Sequence, residues 1–196
     1  DPGMPTAGLV AQWLASNLTT QAPGSPVGSW PPSTGGGQLV AVGTARPTLL
    51  DTGSPLGSYA VEFDGDANRM TWANPSGIPT GVEPGAIVII GWRQRPPVGD
   101  FGNFVPYGTT AADRARGLAN TDSGFWSTNE WVSTLTSGPL AWDGTPHVIA
   151  NVYTAAEQTQ LWIDGSPRAF RTATLNTATG PGTKFEVGSR PGGGRF

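Results

Sequence analysis

The sequence contains no cysteine and a single histidine, and these shortages exclude several kinds of chemistry. Without cysteine, the chain can form neither a disulfide nor a thiolate metal site. One histidine cannot supply the pair of imidazole ligands that many zinc sites use. His147 also stands in a Pro-His-Val context with no G-x-S-x-G motif nearby. We therefore expect a structural histidine rather than a member of a Ser-His-Asp triad.

Charge and long apolar runs are scarce as well. Charged residues make up 13% of the chain and the formal net charge is −3, with no basic stripe, so nucleic-acid binding is disfavoured. The longest apolar run, AIVIIGW at 86–92, has the length of a strand and falls short of the roughly 20 residues of a membrane span.

Paired carboxylates are also missing. A retaining glycosidase needs two carboxyl groups about 5 Å apart, which usually come from closely spaced acids on one strand. Glu62, Glu130 and Glu186 are each alone on a predicted strand. We therefore expect a protein that is not an enzyme.

Glycine, proline and tryptophan are abundant. The chain has 29 Gly, 19 Pro and eight Trp among 196 residues. About a dozen short apolar or alternating segments are separated by turn signals, a pattern that predicts one all-β domain over residues 1–196, a β-sandwich or jelly roll.

Four segments carry specific structural predictions. TTAADRARGLA at 109–119 is a helix candidate, and AIVIIGWRQ at 86–94 has the pattern of a central strand covered on both faces. IDGSP at 163–167 predicts a hairpin whose Asp-Gly pair takes positive φ. Residues 16–38 have loop composition, with Trp30 as a possible anchor.

The tryptophans fall into two groups. Trp13, Trp92 and Trp162 lie in apolar strands and are expected in the core. Others lie near loops, where exposed rings could stack on sugars, and GFWSTNEWV at 124–132 is the best glycan candidate. The alternative is that these rings cover gaps in a glycine-rich sandwich. The candidate glycan-binding residues are Trp126, Trp131, Asn129, Glu130, Tyr107 and Trp30.

FDGDANRM at 63–70 is the one candidate metal site. Asp64, Asp66 and Asn68 match the first three ligand positions of an EF-hand loop, but Arg69 stands where glycine is needed and Pro75 replaces the final glutamate. Two interpretations follow: a calcium-binding loop, or a polar turn between two strands. The failed positions favour the turn, and no cofactor other than calcium is indicated.

Several stretches together resemble the laminin G-like domains of the concanavalin A-like lectin/glucanase superfamily. GLVAQWLASNL, GSWPPSTGGGQL and YAVEFDGDANRM are similar to the opening of that pattern, and DGTPHVIANVYTAAEQTQLWIDG is similar to its later hairpin. The match covers nearly the whole chain but departs at Pro31, Pro32 and Pro146. The closing strand of the family is absent after Phe196, so an incomplete C-terminal strand is expected.

The resemblance implies a jelly-roll sandwich of two antiparallel sheets that binds glycans or protein surfaces, sometimes with calcium. Such domains occur in secreted bacterial proteins and in bacteriophage structural proteins. The expectation is therefore a non-catalytic domain at the virion surface or outside the cell, such as a head decoration or tail-associated protein. Its expected partners are capsid or tail proteins, carbohydrate, or further copies of the chain. The alternative is a secreted carbohydrate-binding module or adhesin domain.

Overall fold

The computed structural model describes residues 8–51, 53–64, 68–92, 102–109, 114–120, 126–128, 135–137, 144–154, 158–172, 174–178 and 183–188. These residues form fifteen β-strands and one 3₁₀ helix at Ala15–Leu18. The strands are β1 (Ala11–Gln12), β2 (Ser29–Trp30), β3 (Thr34–Gly35), β4 (Leu39–Ala41), β5 (Thr48–Leu50), β6 (Ala60–Glu62), β7 (Met70–Ala73), β8 (Gly85–Gly91), β9 (Gly102–Gly108), β10 (Ala115–Asn120), β11 (Trp126–Thr128), β12 (His147–Tyr153), β13 (Gln158–Ile163), β14 (Ser166–Thr172) and β15 (Lys184–Val187).

Two antiparallel sheets dominate. The larger has seven strands in the order β11-β10-β9-β15-β7-β4-β2, and the smaller has four in the order β14-β13-β12-β8. Two-stranded sheets, β1-β3 and β5-β6, complete the set. The predicted all-β jelly-roll sandwich of antiparallel sheets is confirmed.

The hydrophobic core lies between the two large sheets. Leu118 of β10 packs against Ile149, Leu161 and Ile163 of the smaller sheet, and each of these four side chains has no exposed surface. Burial of several such aliphatic side chains, at roughly 1.5–3 kcal/mol each, drives the two sheets together. A hydrogen bond from Asn151 Nδ2 to the carbonyl of Gly117 (2.9 Å) adds a polar link between them.

Residues 16–38 are predicted as a loop, and the structure shows that they are packed rather than loose. Leu18 and Val27 are at most 2% exposed. Trp30 donates its indole N–H to the carbonyl of Leu14 (3.0 Å), as the proposed anchor role requires. A Cβ on Gly37 would clash with Nε1 of Trp72, so glycine is needed where this segment crosses the buried Trp72 indole.

The helix prediction for 109–119 is wrong. Residues 115–119 belong to β10, which pairs with β9 on one side and with β11 on the other. Burial explains the outcome, since residues 115–119 are all buried and their backbone groups pair with β9 along the strand, with a register shift after Leu118, and with β11 from Leu118 onward. Tertiary pairing thus overrides the modest helix propensity of the alanines and arginines.

The prediction of a central strand at 86–94 is also wrong. β8 is the last strand of the four-stranded sheet and pairs with β12 alone among the described residues. Its side chains alternate between partly buried and exposed, and Val88 and Ile90 are more than half exposed. The continuous apolar run here combines one partly buried face with one apolar face toward solvent.

The hairpin prediction at 163–167 is confirmed. Ile163 pairs with Ser166, which leaves Asp164 and Gly165 as a two-residue turn between β13 and β14. Their φ values are 51° and 75°, as a type I′ turn requires.

Candidate functional site

The four-stranded sheet separates its side chains cleanly onto two faces. On β13, Thr159, Leu161 and Ile163 are buried toward the core, while Gln158, Gln160 and Trp162 alternate with them and are partly exposed. Successive side chains of a strand point to opposite faces, so the second set lies on the outer face.

Residues paired across the sheet share that outer face. Trp162 lies opposite Ala150, which lies opposite Val88, and Gln160 lies between Val152 and Phe170. We call this surface the Trp162 face. Its members are Ala86, Val88, Ile90, Val148, Ala150, Val152, Gln158, Gln160, Trp162, Pro167, Phe170 and Thr172.

The Trp162 face is unusually apolar for a surface in contact with solvent. Phe170 is 75% exposed, Ile90 60% and Val88 55%. Isolated exposed apolar residues are ordinary, but Val88 and Ile90 adjoin the exposed Val148 on β12, and a contiguous apolar patch is typical of a binding surface.

A ladder of hydrogen bonds fixes the central aromatic ring of this face. Trp162 Nε1 donates to Gln160 Oε1 (3.0 Å), and Gln160 Nε2 donates to Gln158 Oε1 (3.4 Å). Because Gln160 is two residues back on the same strand, the indole extends along β13. Each glutamine amide keeps further donor and acceptor capacity beyond these bonds.

The position of Trp162 corrects the prediction that it lies in the core. The signal was present in the sequence, because the stretch QTQLWI alternates and places Trp162 in phase with Gln158 and Gln160 rather than with Leu161 and Ile163. Three consecutive apolar residues, Leu161, Trp162 and Ile163, favour a prediction of core packing. The period-two pattern is the more direct indicator of which side of the sheet a residue faces.

His147 lies at one end of the Trp162 face, in a compact polar cluster. Its Nδ1 is 2.7 Å from Oδ2 of Asp164, and its Nε2 is 3.4 Å from the hydroxyl of Thr145. The other carboxylate oxygen of Asp164 accepts the backbone N–H of Val148 (2.9 Å). The carboxylate therefore ties the turn after β13 to the start of β12, in keeping with a structural histidine.

The pKa of Asp164 is held below its usual value. Partial desolvation acts to raise it, but the hydrogen bonds from His147 and from the Val148 N–H, with the charges of His147 and Arg168, outweigh that effect. The carboxylate is thus ionised at neutral pH, in the state that accepts both hydrogen bonds.

The structure places two of the three candidate calcium ligands in the FDGDANRM stretch. Asp64 Oδ1 accepts the backbone N–H of Asn68 (3.1 Å), and Asn68 is 8% exposed. The segment also packs on Gly188, where a Cβ would come within 2.6 Å of the Asn68 carbonyl oxygen. This geometry supports the turn interpretation. Asp66 lies outside the described residues, so the calcium site stays a prediction.

Of the candidate glycan residues chosen from the sequence, Trp30 and Tyr107 have described side chains. Trp126 belongs to β11, but its side chain, like Asn129, Glu130 and Trp131, lies outside the described part of the structure. Trp30 is partly buried and packs against the core.

Tyr107 is not an exposed stacking residue, which corrects that part of the prediction. It is 3% exposed, and its hydroxyl donates to the carbonyl of Pro79 (3.2 Å). Burial raises the pKa of Tyr107 even though the nearby Arg116 guanidinium acts to lower it. Its position on β9, facing Phe185 across the ladder, makes it a core residue.

Arg116 is a buried charge that the sequence did not reveal. It is 3% exposed, donates from Nη2 to the carbonyls of Gly81 (3.1 Å) and Glu83 (2.7 Å), and lies 4.6 Å from the ring centroid of Tyr153. These contacts hold the 79–85 segment against the end of the sandwich. Among the described residues, neither its buried Nε nor its buried Nη1 has a hydrogen-bond partner.

The described acidic residues form no metal cluster. Within the described ranges, no group of three or more His, Asp or Glu residues could hold a metal ion. Glu62 is exposed on β6, whereas Glu186 is 3% exposed on β15 and accepts a hydrogen bond from the Thr71 hydroxyl (3.3 Å). No helix in this part of the chain is long and apolar enough to cross a membrane.

Comparison with known proteins gives likenesses to solved structures only. No family model and no curated protein sequence matches the chain. The chain is similar to the CBM40 of Ruminococcus gnavus IT-sialidase bound to α2,3-sialyllactose, at 16% identity over 56% of this chain and 65% of that chain, just under two thirds, with a TM-score of 0.44. It is also similar to the same CBM40 bound to α2,6-sialyllactose, at 19% identity over 59% of this chain and 74% of that chain, with a TM-score of 0.42.

A third likeness is to LamAcat from Zobellia galactanivorans, at 11% identity over 91% of this chain and 78% of that chain, with a TM-score of 0.40. These likenesses identify neither a family nor a site in this chain. The candidate site therefore rests on its own geometry.

Proposed function

We propose that this domain is a non-catalytic binding module that recognises carbohydrate on the Trp162 face. The observation that carries the proposal is the ladder Trp162–Gln160–Gln158, which holds an aromatic ring beside two amide groups on an open sheet surface. Phe170, diagonally across from Trp162 on the next strand, supplies a second exposed ring.

This combination of groups matches the chemistry of a sugar. A pyranose ring has an apolar C–H face, which stacks on an aromatic ring, and a rim of hydroxyl groups, which need donors and acceptors. Tryptophan supplies a large, rigid apolar surface, and a glutamine amide both donates and accepts. Because the paired residues of the Trp162 face carry no charge, apart from Asp164 and Arg168 near its His147 end, we propose a neutral glycan as the ligand.

The size of the face favours such a ligand over a large protein partner. Four strands at about 4.8 Å spacing and seven residues at about 3.3 Å per residue give a surface of about 19 by 23 Å, or about 440 Å². A standard protein–protein interface takes about 800 Å² from each partner. The proposed role in a virion, with capsid or tail proteins as partners, concerns where such a module is displayed and stays a prediction.

Affinity electrophoresis in native gels containing neutral polysaccharides, together with a glycan array, tests the proposal. The gel panel includes β-glucan, xylan and mannan, and the array adds sialylated oligosaccharides as a charged comparison. We expect retardation of the native protein by at least one neutral polysaccharide, with loss of retardation for Trp162→Ala. Val40→Ala serves as the control, because Val40 is exposed on the other large sheet. Retardation that is unchanged in Trp162→Ala would refute the site.

A further inference from the structure

We infer that β8 is an interface for a second copy of this chain, and that the two β8 strands pair antiparallel about a two-fold axis at Val88. β8 is the outermost strand of its sheet among the described residues. Natural proteins protect such edges with charged side chains, proline or bulges. The seven residues of β8, GAIVIIG, contain no charge and no proline, and their pairing with β12 has no register shift.

The hydrogen bonds of the neighbouring strand show which backbone groups of β8 face outward. Val148 directs its carbonyl to Asp164 N and its N–H to Asp164 Oδ1, and Thr154 N donates to Gln158 O. The even-numbered residues of β12 therefore point toward β13, and the odd-numbered ones point toward β8. In an antiparallel ladder, a residue whose backbone groups point toward the neighbouring strand lies opposite a residue whose backbone groups point back toward it.

Tyr153, Asn151, Ile149 and His147 lie opposite Gly85, Ile87, Ile89 and Gly91, so these odd residues of β8 bond to β12. Ala86, Val88 and Ile90 consequently present their N–H and C=O groups at the outer edge. The same three residues carry the exposed side chains of the strand. One set of residues thus combines open backbone groups with apolar side chains.

This edge is complementary to itself. With a two-fold axis at Val88, Val88 lies opposite Val88 of the second copy, and Ala86 lies opposite Ile90 in both directions. All three pairs are then hydrogen-bonded pairs, which close six backbone hydrogen bonds. The small Ala86 faces the large Ile90, so the side chains on the outer face meet without two bulky residues colliding.

The self-complementary register is the reason to choose a second copy rather than another protein, because a symmetric dimer requires one patch that fits itself. One strand about 23 Å long is a small contact, below the size of a standard interface, so the association is reversible rather than obligate. Pairing would also place two Trp162 faces in one continuous eight-stranded sheet, which raises avidity for a polymeric ligand.

Cysteine cross-linking tests the geometry directly, because the native chain has no cysteine. Val88→Cys would place the two Cα atoms about 5.5 Å apart, within the disulfide range of about 4.4–6.8 Å. Val148→Cys is the matched control, since Val148 is 43% exposed on the same face but one strand inward. We expect rapid disulfide dimerisation of Val88→Cys under mild oxidation and little for Val148→Cys. Equal rates for the two variants would overturn the inference.

Sedimentation or light scattering of the full chain, from roughly micromolar to millimolar concentration, gives the second test. The native protein should show a monomer–dimer equilibrium. Val88→Lys places two like charges opposite each other at the two-fold axis and should raise the dimer dissociation constant at least about tenfold. Val148→Lys should leave that constant within about twofold of the native value. A native protein that stays monomeric over the whole range overturns the inference. An equal loss of dimerisation in the two lysine variants also overturns the inference, because it would indicate that the dimer forms by stacking of two Trp162 faces. Neither outcome bears on glycan binding by the monomer.

Discussion

Two neighbouring residues of β13 should respond oppositely to truncation. Leu161 has no exposed surface and belongs to the core cluster between the sheets, whereas Trp162 is partly exposed on the outer face. We therefore predict that Leu161→Ala unfolds the domain more easily and leaves the Trp162 face intact. Trp162→Ala should do the reverse, removing ligand binding at a small cost in stability.

The expected magnitudes follow from these environments. A buried leucine truncated to alanine loses its transfer free energy and leaves a cavity, at about 2–5 kcal/mol. A tryptophan truncated in a core would cost about 3–5 kcal/mol. Trp162 instead loses one partly exposed hydrogen bond and part of its apolar contact, for which about 1 kcal/mol is expected.

Urea denaturation followed by far-ultraviolet circular dichroism separates these cases, because that signal does not depend on a particular tryptophan. With a slope of about 2 kcal/mol per molar urea, Leu161→Ala should shift the midpoint by about 1–2.5 M, and Trp162→Ala by about half a molar. If Trp162→Ala costs as much as Leu161→Ala, then Trp162 is a core residue and the assignment of the outer face is wrong.

Three further predictions concern the rest of the domain. Gly37→Ala should destabilise it by about 1–3 kcal/mol in the same assay, because the new Cβ meets the Trp72 indole, and a neutral effect would show that the 16–38 segment packs differently. Asp164→Asn should lower the melting temperature at pH 7, because the depressed pKa of Asp164 stabilises the fold above the unfolded value of about 3.9. That stabilisation is lost as the pH falls through the folded pKa. The difference in melting temperature between the variant and the native protein should therefore close below about pH 4. A gap that does not depend on pH would contradict this. Chelator should leave the melting temperature unchanged if the segment containing Asp64 is a simple turn, whereas a rise with added calcium would restore the metal interpretation.

Local patterns in the sequence predicted much of the fold. The Asp164-Gly165 turn follows from backbone chemistry alone, because few residues tolerate two successive positive φ values. Pairing partners are not local, and that is where prediction failed. Nothing in the sequence of 109–119 shows that β10 lies between β9 and β11. Likewise, nothing in the sequence of 86–94 shows that β8 pairs on one side only among the described strands.

The candidate site was harder to predict than the fold. The alternation in β13 was sufficient to place Trp162 outside the core, but the contribution of β8, β12 and β14 to the same face depends on register. Composition also misled in the case of Tyr107, because an aromatic residue near a loop can be exposed or buried, and only the packing against Phe185 decides.

The central claim is that glycan binds on the Trp162 face, and the indole N–H signals of the eight tryptophans test it most directly. The signal of Trp162 is assigned by its absence in the spectrum of Trp162→Phe. The labelled native protein and the labelled variant are each titrated with a neutral glycan that retards the native protein in the gel assay. The account predicts a saturable shift of the Trp162 signal, while the signals of Trp13 and Trp72, which lie in the aromatic cluster of the core, stay in place. Shifts of Trp126 or Trp131 with Trp162 unmoved would contradict it and would place binding at 124–132 instead.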